Sequence, residues 1–229
     1  MVRTTIGAPE LREMLRFTAE VLVKEEPRLN ALDAAIGDGD HGITVRVGFQ
    51  AVTKSMESTS ACADIATMVG NAGRAFMGVT GGAIGIILGK MLICGQEVLK
   101  GRKALGVDEL QRWLEAMKST IATVGKAKPG DKTILDAVHA ASVAVSISSS
   151  ESKDIAEALL AASHAAKWAA SETANMLCKV GRASRLGERV LGHPDPGAVT
   201  FSIILDSFYR WLVEHPIETY ASPPLDSCA

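Results

Sequence analysis

Apolar residues recur every three to four positions along most of this chain, and this helical spacing constrains the fold more than any other feature. Leu11, Leu15 and Leu22, for example, fall on one face of a helix. No segment alternates apolar and polar residues with the composition of a strand. The sequence therefore predicts an all-α fold of eight amphipathic helices, arranged as an up-and-down, antiparallel bundle or barrel. The predicted helices cover about residues 9–26, 42–57, 61–77, 82–99, 110–124, 132–147, 152–179 and 201–212.

The composition supports closely packed helices. Aromatic residues make up only 4% of the 229 residues, so the core has to be built from Ala, Leu, Val, Ile and Met. Alanine favours the helix and allows helices to approach closely. A chain of this length fits one domain. We expect a single domain over residues 1–220, followed by a loosely ordered tail at 221–229.

Charge and hydropathy exclude two classes of partner. The net charge is −2, and no basic patch is visible, which disfavours binding of nucleic acid. The most membrane-like stretch, Ala75–Cys94, contains Lys90 and five glycines, so it predicts a buried helix rather than a membrane span. The first residues lack the apolar core of a signal peptide. We therefore expect a cytoplasmic protein that binds neither nucleic acid nor membrane.

Four breaks between the predicted helices are rich in Gly, Pro and Asp, the residues that form tight turns. They lie at residues 36–42, 78–82, 128–132 and 192–197. In an up-and-down arrangement alternate loops share one end of the bundle. These loops follow the first, third, fifth and seventh predicted helices. The sequence therefore predicts that all four meet at one composite site.

Three carboxylates, Asp33, Asp38 and Asp40, lie within eight residues around the first of these breaks. Close carboxylates repel one another unless a cation lies between them. Magnesium takes oxygen ligands from a few carboxylates, phosphates and water. The segment therefore indicates a magnesium site. A solvated Asp-Gly turn that caps the next helix is the alternative interpretation.

The other breaks carry weaker signals. The Thr80–Ala83 turn precedes a helix and suits either a phosphate or a tight connection. Asp131 or Thr133 can cap a helix. The two prolines of His193–Gly197 make a rigid turn, which suits a pocket wall or a simple stop. Arg182 can meet phosphate or be an ordinary surface arginine. Neither a Walker motif nor a Rossmann fingerprint is present.

Taken together, the motifs carry a resemblance to a known family. LDAAIGDGDHG, TGGAxG, PGDKTILDA and GRASxLGERxxGHPDPGA occur in this order between about residues 10 and 213. They closely resemble the nucleotide-binding L subunit, or DAK2-type domain, of dihydroxyacetone kinases. The resemblance implies a barrel of eight antiparallel helices with ADP or ATP bound at one end.

The resemblance also implies a set of site residues. Asp33, Asp38 and Asp40 match aspartates that hold two Mg²⁺ ions bridging the nucleotide phosphates. Twelve further positions match residues that lie beside the nucleotide. They are His41, Gly42, Ile43, Thr44, Ala83, Ile84, Gly125, Ile134, Arg182, Pro194, Asp195 and Pro196.

The implied reaction needs a second chain. In the family a K subunit holds the ketose covalently, and the L subunit presents the phosphoryl group to its hydroxyl. This chain would be a phosphotransferase subunit with an alcohol acceptor, acting by positioning and electrostatics without a catalytic residue of its own. The phosphoryl donor is either free ATP or a phosphohistidine protein, the M subunit, which rephosphorylates bound ADP. A homodimer is a further option.

Two positions depart from the family pattern. Ile84 stands where the family commonly has a serine, and Arg185 stands where it often has a tyrosine. These departures suggest a paralogue for another short ketose, such as the four-carbon erythrulose. The loss of the serine at Ile84 also gives weight to an alternative function, a nucleotide-loaded regulatory module that binds a transcription factor or another protein. A fatty-acid kinase domain is a third, related interpretation.

Overall fold

The computed structural model describes residues 2–216, without the side chain of Glu151. The predicted tail at 221–229 lies outside these residues. Nine α-helices dominate the described chain. They are α1 Ala8–Lys24, α2 Glu26–Ile36, α3 His41–Ser58, α4 Ile65–Val79, α5 Gly82–Val98, α6 Val107–Gly125, α7 Ile134–Glu151, α8 Ile155–Glu172 and α9 Pro196–Glu214.

The all-α prediction is confirmed, and the eight longer helices correspond one to one with the eight predicted segments. The ninth, α2, has 11 residues and was not predicted. The first helix was predicted to end near residue 26, but Pro27 occupies the first turn of a new helix, α2, where its missing N–H costs nothing. The helix predicted to reach residue 179 ends at Glu172, and a 3₁₀ turn at Thr173–Asn175 follows it.

A two-stranded antiparallel sheet is a second difference from the prediction. Strand β1, Thr5–Gly7, pairs with strand β2, Ala104–Gly106. Each strand has only three residues, which is too short to show an alternating pattern. Each strand leads directly into a helix, α1 or α6, and so joins the two halves of the chain at one edge.

The eight longer helices close into a ring. Each packs against the next in the order α1, α3, α4, α5, α6, α7, α8 and α9, and α9 packs against α1. Most connections between neighbouring helices are short, which makes these neighbours run in opposite directions. The exceptions are α1 and α3, joined through α2, and α8 and α9, joined by residues 173–195. Helices α3, α5, α7 and α9 therefore begin at the same end of the ring, while α2 packs outside on α3 and α9.

The interior of the ring is the hydrophobic core. Its largest buried side chains include Phe49, Phe76, Trp113 and Phe201, and the two phenylalanines of α3 and α4 meet edge to face. Alanines fill the contact between α7 and α8, where Ala141, for example, is fully buried. In the described part of the chain no helix combines the length and the apolar composition needed to cross a membrane.

Helices α4 and α5 approach each other at glycines. A Cβ atom added at Gly73 would lie 2.6 Å from the carbonyl oxygen of Gly89 and 2.8 Å from the backbone nitrogen of Ile93. These neighbours are backbone atoms on the facing helix, so they move only if the helix moves. Gly73 therefore sets the distance between the helix before the Thr80–Ala83 turn and the helix after it.

We predict that Gly73→Ala destabilises the fold by about 1–3 kcal/mol, because the added methyl group overpacks the contact between α4 and α5. Urea unfolding followed by circular dichroism measures this change. Gly78→Ala in the same helix is the control, since a Cβ atom there meets no atom within 4 Å. The control is expected to be neutral or stabilising by up to about 1 kcal/mol. Equal stability of the two variants would contradict the close approach.

Candidate functional site

A pocket of about 470 Å³ opens at the end of the ring where α3, α5, α7 and α9 begin. All four of the predicted loops contribute to its walls, so their predicted convergence is confirmed. The stretch that follows α8 adds a fifth wall, of which only Arg182 was predicted. The lining residues lie within segments 33–44, 81–84, 132–133, 178–183 and 195–196.

The first wall is the turn between α2 and α3, and it folds around the carboxylate of Asp33. Asp33 Oδ2 accepts hydrogen bonds from the backbone N–H groups of Gly39, at 2.8 Å, and Asp40, at 3.1 Å. Gly39 has a φ of +80°, a conformation that glycine adopts without strain. A Cβ atom at Gly37 would lie 2.4 Å from Asp33 Oδ1, so a larger residue there would displace the Asp33 carboxylate.

This turn brings three carboxylates together. Asp33, Asp38 and Asp40 each offer an oxygen within 4.8 Å of the others. Burial and the charge of Asp38 raise the pKa of Asp40. A hydrogen bond from the exposed Arg182 guanidinium lowers the pKa of Asp38. An oxygen-only set of carboxylates that open on a pocket fits a hard divalent cation such as Mg²⁺.

The alternative interpretation, in which these aspartates only cap the next helix, does not describe Asp40. Asp40 is the N-cap residue of α3, but its side chain makes no capping hydrogen bond. Asn30 on α2 caps the helix instead, because its Oδ1 accepts a hydrogen bond of 3.1 Å from the N–H of Ile43. The Asp40 carboxylate is therefore left for another partner.

The capping interpretation does hold for the loop before α7, where Thr133 rather than Asp131 caps the helix, and Asp195 caps α9, which was not predicted. Thr133 Oγ1 accepts a hydrogen bond from the N–H of Leu135 at 3.2 Å, and Asp136 accepts one from Thr133 at 2.7 Å. Asp195 accepts a hydrogen bond of 2.7 Å from the N–H of Ala198. These two helix starts are thus occupied by side chains of the protein itself.

The start of α5 is different, because no side chain caps it. Gly81 is the N-cap residue, and Gly82 has a φ of +70°. Gly81 to Ile84 all line the pocket. The partial positive charge and the free N–H groups of an uncapped helix start favour an anion. This wall therefore suits a phosphate group, opposite the three carboxylates.

An apolar compartment of about 420 Å³ adjoins the polar one. The two share Ala83, Ile84, Thr133 and Asp195 among their walls. The apolar compartment has few polar groups and suits a flat, uncharged ring system. Its remaining lining includes Ile86, Ile87, Ile121, Val124, Gly125, Ala127, Ile134 and Gly197.

Most of the predicted nucleotide-binding positions lie in these walls. Eight of the twelve line one compartment or both: Thr44, Ala83, Ile84, Gly125, Ile134, Arg182, Asp195 and Pro196. Four do not line either: His41, Gly42, Ile43 and Pro194. Contact between nucleotide and each of these residues stays a prediction.

His41 lies behind the site. Its Nε2 is 2.8 Å from Thr200 Oγ1, and the Thr200 hydroxyl donates to the carbonyl oxygen of Pro196. The imidazole therefore donates from Nε2. Burial lowers the pKa of His41 to about 4, so the ring is neutral at pH 7. His41 thus ties α3 to α9 and fixes the Pro196 wall from behind.

Sequence reasoning missed Lys132, Cys178 and Val180, which all line the polar compartment. Lys132 is 1% exposed and ranks among the largest fully buried side chains of the described chain. The only sequence signal was its position within the PGDKT turn. That motif was interpreted as a cap, and a lysine beside a cap is ordinarily exposed.

Comparisons with known proteins agree with this geometry. The family model of the DAK2 domain matches residues 35–210. The ADP-binding subunit of the PEP-dependent dihydroxyacetone kinase of Escherichia coli K12 is 34% identical, over 88% of this chain and 95% of that protein. The corresponding subunit of a second such kinase from Listeria innocua is 36% identical, over 86% and 93%.

Longer proteins match as well. An L-erythrulose kinase of Pectobacterium atrosepticum is 34% identical over 84% of this chain, which spans only 33% of that protein. The crystal structure of the dihydroxyacetone kinase of C. freundii superposes with a TM-score of 0.69 and 23% identity. The alignment covers 92% of this chain and 35% of that one, and it shows that the two share a fold. The same kinase in complex with AMP-PNP and Mg²⁺ also gives 0.69.

The effect of the crowded carboxylates on stability can be tested in the protein without ligand. Because the pKa of Asp40 is raised in the folded state, ionising it opposes folding. This cost is absent below the ordinary carboxyl range and complete above the raised pKa. Asp40→Asn should therefore raise the melting temperature by about 1 °C at pH 7.5 in EDTA and should leave it unchanged at acid pH. Scanning calorimetry measures both.

Asp64→Asn is the matched control. Asp64 caps α4, and the hydrogen bond from Thr67 lowers its pKa, so its charge favours folding. The control is expected to leave the melting temperature unchanged or to lower it slightly, since Asn also caps well. A lower melting temperature of Asp40→Asn in EDTA would show that Asp40 has a structural role in the turn.

Proposed function

Because the chain belongs to the DAK2 domain family, we propose that it is the nucleotide-binding subunit of a dihydroxyacetone kinase or a related short-ketose kinase. The observation that carries this proposal is the cluster of three carboxylates in an open pocket, facing an uncapped helix start. Like charges at this distance are unfavourable unless a cation joins them. A magnesium nucleotide supplies both the cation and the anion that these two walls suit.

In the proposed complex the phosphates lie between the carboxylates and the start of α5. Asp33, Asp38 and Asp40 would hold two Mg²⁺ ions, whose positive charge neutralises the phosphate oxygens. The backbone N–H groups at Gly82 and Ala83 would bind phosphate on the other side. The adenine ring would occupy the apolar compartment, between Ile84, Gly125 and Ile134 and their neighbours.

Arg182 is proposed to change partners in this complex. Its guanidinium is exposed and pairs with Asp38. A cation on Asp38 weakens that pair, and a guanidinium binds phosphate oxygens in the same planar geometry as carboxylate oxygens. Arg182 thus holds Asp38 ionised before the nucleotide binds and contacts a phosphate afterwards.

The phosphoryl acceptor is proposed to lie on a separate K subunit that holds the ketose. The two bacterial subunits similar to this chain are matched along 95% and 93% of their lengths, and each is named as one subunit of its kinase. Several large apolar side chains are exposed in or next to the pocket walls, as expected of a surface that a partner covers. They are Ile43, Val79, Ile86, Leu177 and Leu191.

The phosphoryl donor belongs to the same proposal. Both relatives are named PEP-dependent and ADP-binding. We therefore expect bound ADP to be rephosphorylated by a phosphohistidine protein, the M subunit, rather than exchanged for ATP. A cytoplasmic location and a homodimer remain sequence predictions.

The four-carbon ketose erythrulose is the second candidate acceptor, because an L-erythrulose kinase is as similar to the chain as the dihydroxyacetone kinase subunit of E. coli, at 34% identity. Turnover of both ketoses with the cognate K subunit decides between them. Far faster turnover of dihydroxyacetone would exclude the erythrulose assignment, and the reverse result would support it.

We predict that Asp38→Asn lowers the affinity for ADP in the presence of Mg²⁺ at least about 100-fold, because it removes a charged metal ligand. Isothermal titration calorimetry with and without Mg²⁺ measures the effect. Circular dichroism should show unchanged helicity, since Asp38 is exposed and its basic partner, Arg182, is exposed as well.

Asp108→Asn is the matched control. Asp108 is another exposed aspartate with one basic partner, Lys153 at 2.8 Å, and it lies at the start of α6, at the opposite end of the ring. It should bind magnesium ADP like the wild type. Unchanged ADP affinity of Asp38→Asn would overturn the metal assignment.

A further inference from the structure

Lys132 is a buried cation that the proposed nucleotide complex does not use. Its side chain is 1% exposed, and its backbone has a φ of +60°, which residues with a Cβ atom rarely adopt. Burying an ammonium group is costly unless hydrogen bonds and an opposite charge compensate it. A strained backbone and a buried charge at one residue indicate that its position is fixed by contacts elsewhere.

Those contacts tie three pocket walls together. Lys132 Nζ donates hydrogen bonds of 2.6 Å to the carbonyl oxygens of Thr173 and His193. Thr173 follows the end of α8, where free carbonyl groups attract a cation. The Thr173 hydroxyl in turn accepts a hydrogen bond of 2.8 Å from the N–H of Asp195. Lys132 therefore holds the turn before α9 against the segment after α8.

Asp195 is the carboxylate whose charge acts on Lys132, although the two side chains do not form a direct ion pair. Asp195 lines both compartments and caps α9. Burial, with the carboxylates of Asp136 and Asp33 nearby, raises the pKa of Asp195 to about 7, and the ammonium of Lys132 opposes this rise. Without Lys132 the pocket would hold four carboxylates against a single cation, Arg182, among its described lining residues. Anionic phosphates would then meet an uncompensated negative charge.

We propose that Lys132 is a positioning residue of the nucleotide pocket. Its ammonium holds the 192–196 turn in its binding-competent position through the carbonyl groups of Thr173 and His193, and it offsets the nearby charge of Asp195. The inference rests on the proposed function, since the ligand is a magnesium nucleotide. Under this proposal the chain itself supplies a second cation to the pocket, in addition to Arg182. Lys132 acts through Asp195 and the turn rather than by contacting the reacting atoms.

The test is a double-mutant cycle on the full chain with Lys132→Met, Asp195→Asn and the double variant. Methionine nearly matches the length of lysine without its charge, and asparagine is as good an N-cap as aspartate. Calorimetry with ADP and Mg²⁺ gives the affinities. Lys132→Met should weaken binding at least about tenfold, because it removes the positive charge that offsets Asp195 and the two hydrogen bonds that hold the turn.

The double variant distinguishes charge compensation of Asp195 from a role in which Lys132 only links the carbonyl groups of Thr173 and His193. If Lys132 acts by offsetting Asp195, Asp195→Asn should restore at least about fivefold of the affinity that Lys132→Met lost. If Lys132 only links the two carbonyl groups, the losses multiply and the proposal is overturned. Lys128→Met, an exposed lysine in the same loop, should change the affinity by less than about threefold.

Melting temperatures give a result even if Lys132→Met is too unstable to bind nucleotide or if the wild-type chain does not bind magnesium ADP. If Lys132→Met is too unstable to bind, recovery of its melting temperature in the double variant supports the charge compensation, and no recovery contradicts it. If the wild-type chain fails to bind magnesium ADP, the proposed function fails. The same thermal cycle then still tests the charge compensation of Asp195 by Lys132.

Discussion

The packing of α9 against α1 closes eight helices into a ring, and this closure determines where every loop lies. In a closed ring with short connections, every second helix begins at the same end. The four helices that begin there bring loops from distant parts of the chain to one pocket. Close approaches at glycines such as Gly73 hold the helices at the required distance. The site therefore depends on the packing of the whole ring.

At this end of the ring the turn between α2 and α3 holds three carboxylates close together although their charges repel one another. Asp33 stabilises the turn by accepting two backbone hydrogen bonds, and Asn30 relieves Asp40 of its capping role. Each of the three carboxylates thus keeps an oxygen that can meet a cation. Two cations of the chain itself also line the pocket, Arg182 exposed beside Asp38 and Lys132 buried. In the proposed function, a metal-bound anion relieves the repulsion that remains among the carboxylates.

The sequence was sufficient to predict the helices and the composite site, because these depend on local patterns. Helical periodicity identified the eight long helices, and connection lengths placed their loops. Helix α2 was missed because a proline can end one helix or begin the next, and the choice depends on packing against α3 and α9. The two strands were missed because three residues carry no periodic signal.

Roles that depend on distant partners were beyond the sequence. His41 is fixed by Thr200, 159 residues away, so its burial behind the site has no local signature. Lys132 reaches carbonyl groups 41 and 61 residues further along the chain. A capping motif gave no reason to expect a buried ammonium there. The aspartates were predictable because all three lie in one short segment, where their repulsion can be inferred without the fold.

The metal site is tested most directly by an anomalous difference map from crystals grown with ADP and Mn²⁺, which takes oxygen ligands as Mg²⁺ does. We expect metal peaks coordinated by oxygens of Asp33, Asp38 and Asp40 and by the phosphates, with the adenine ring in the apolar compartment. Nucleotide bound in the pocket without metal against these carboxylates, or metal bound elsewhere, would contradict the metal assignment.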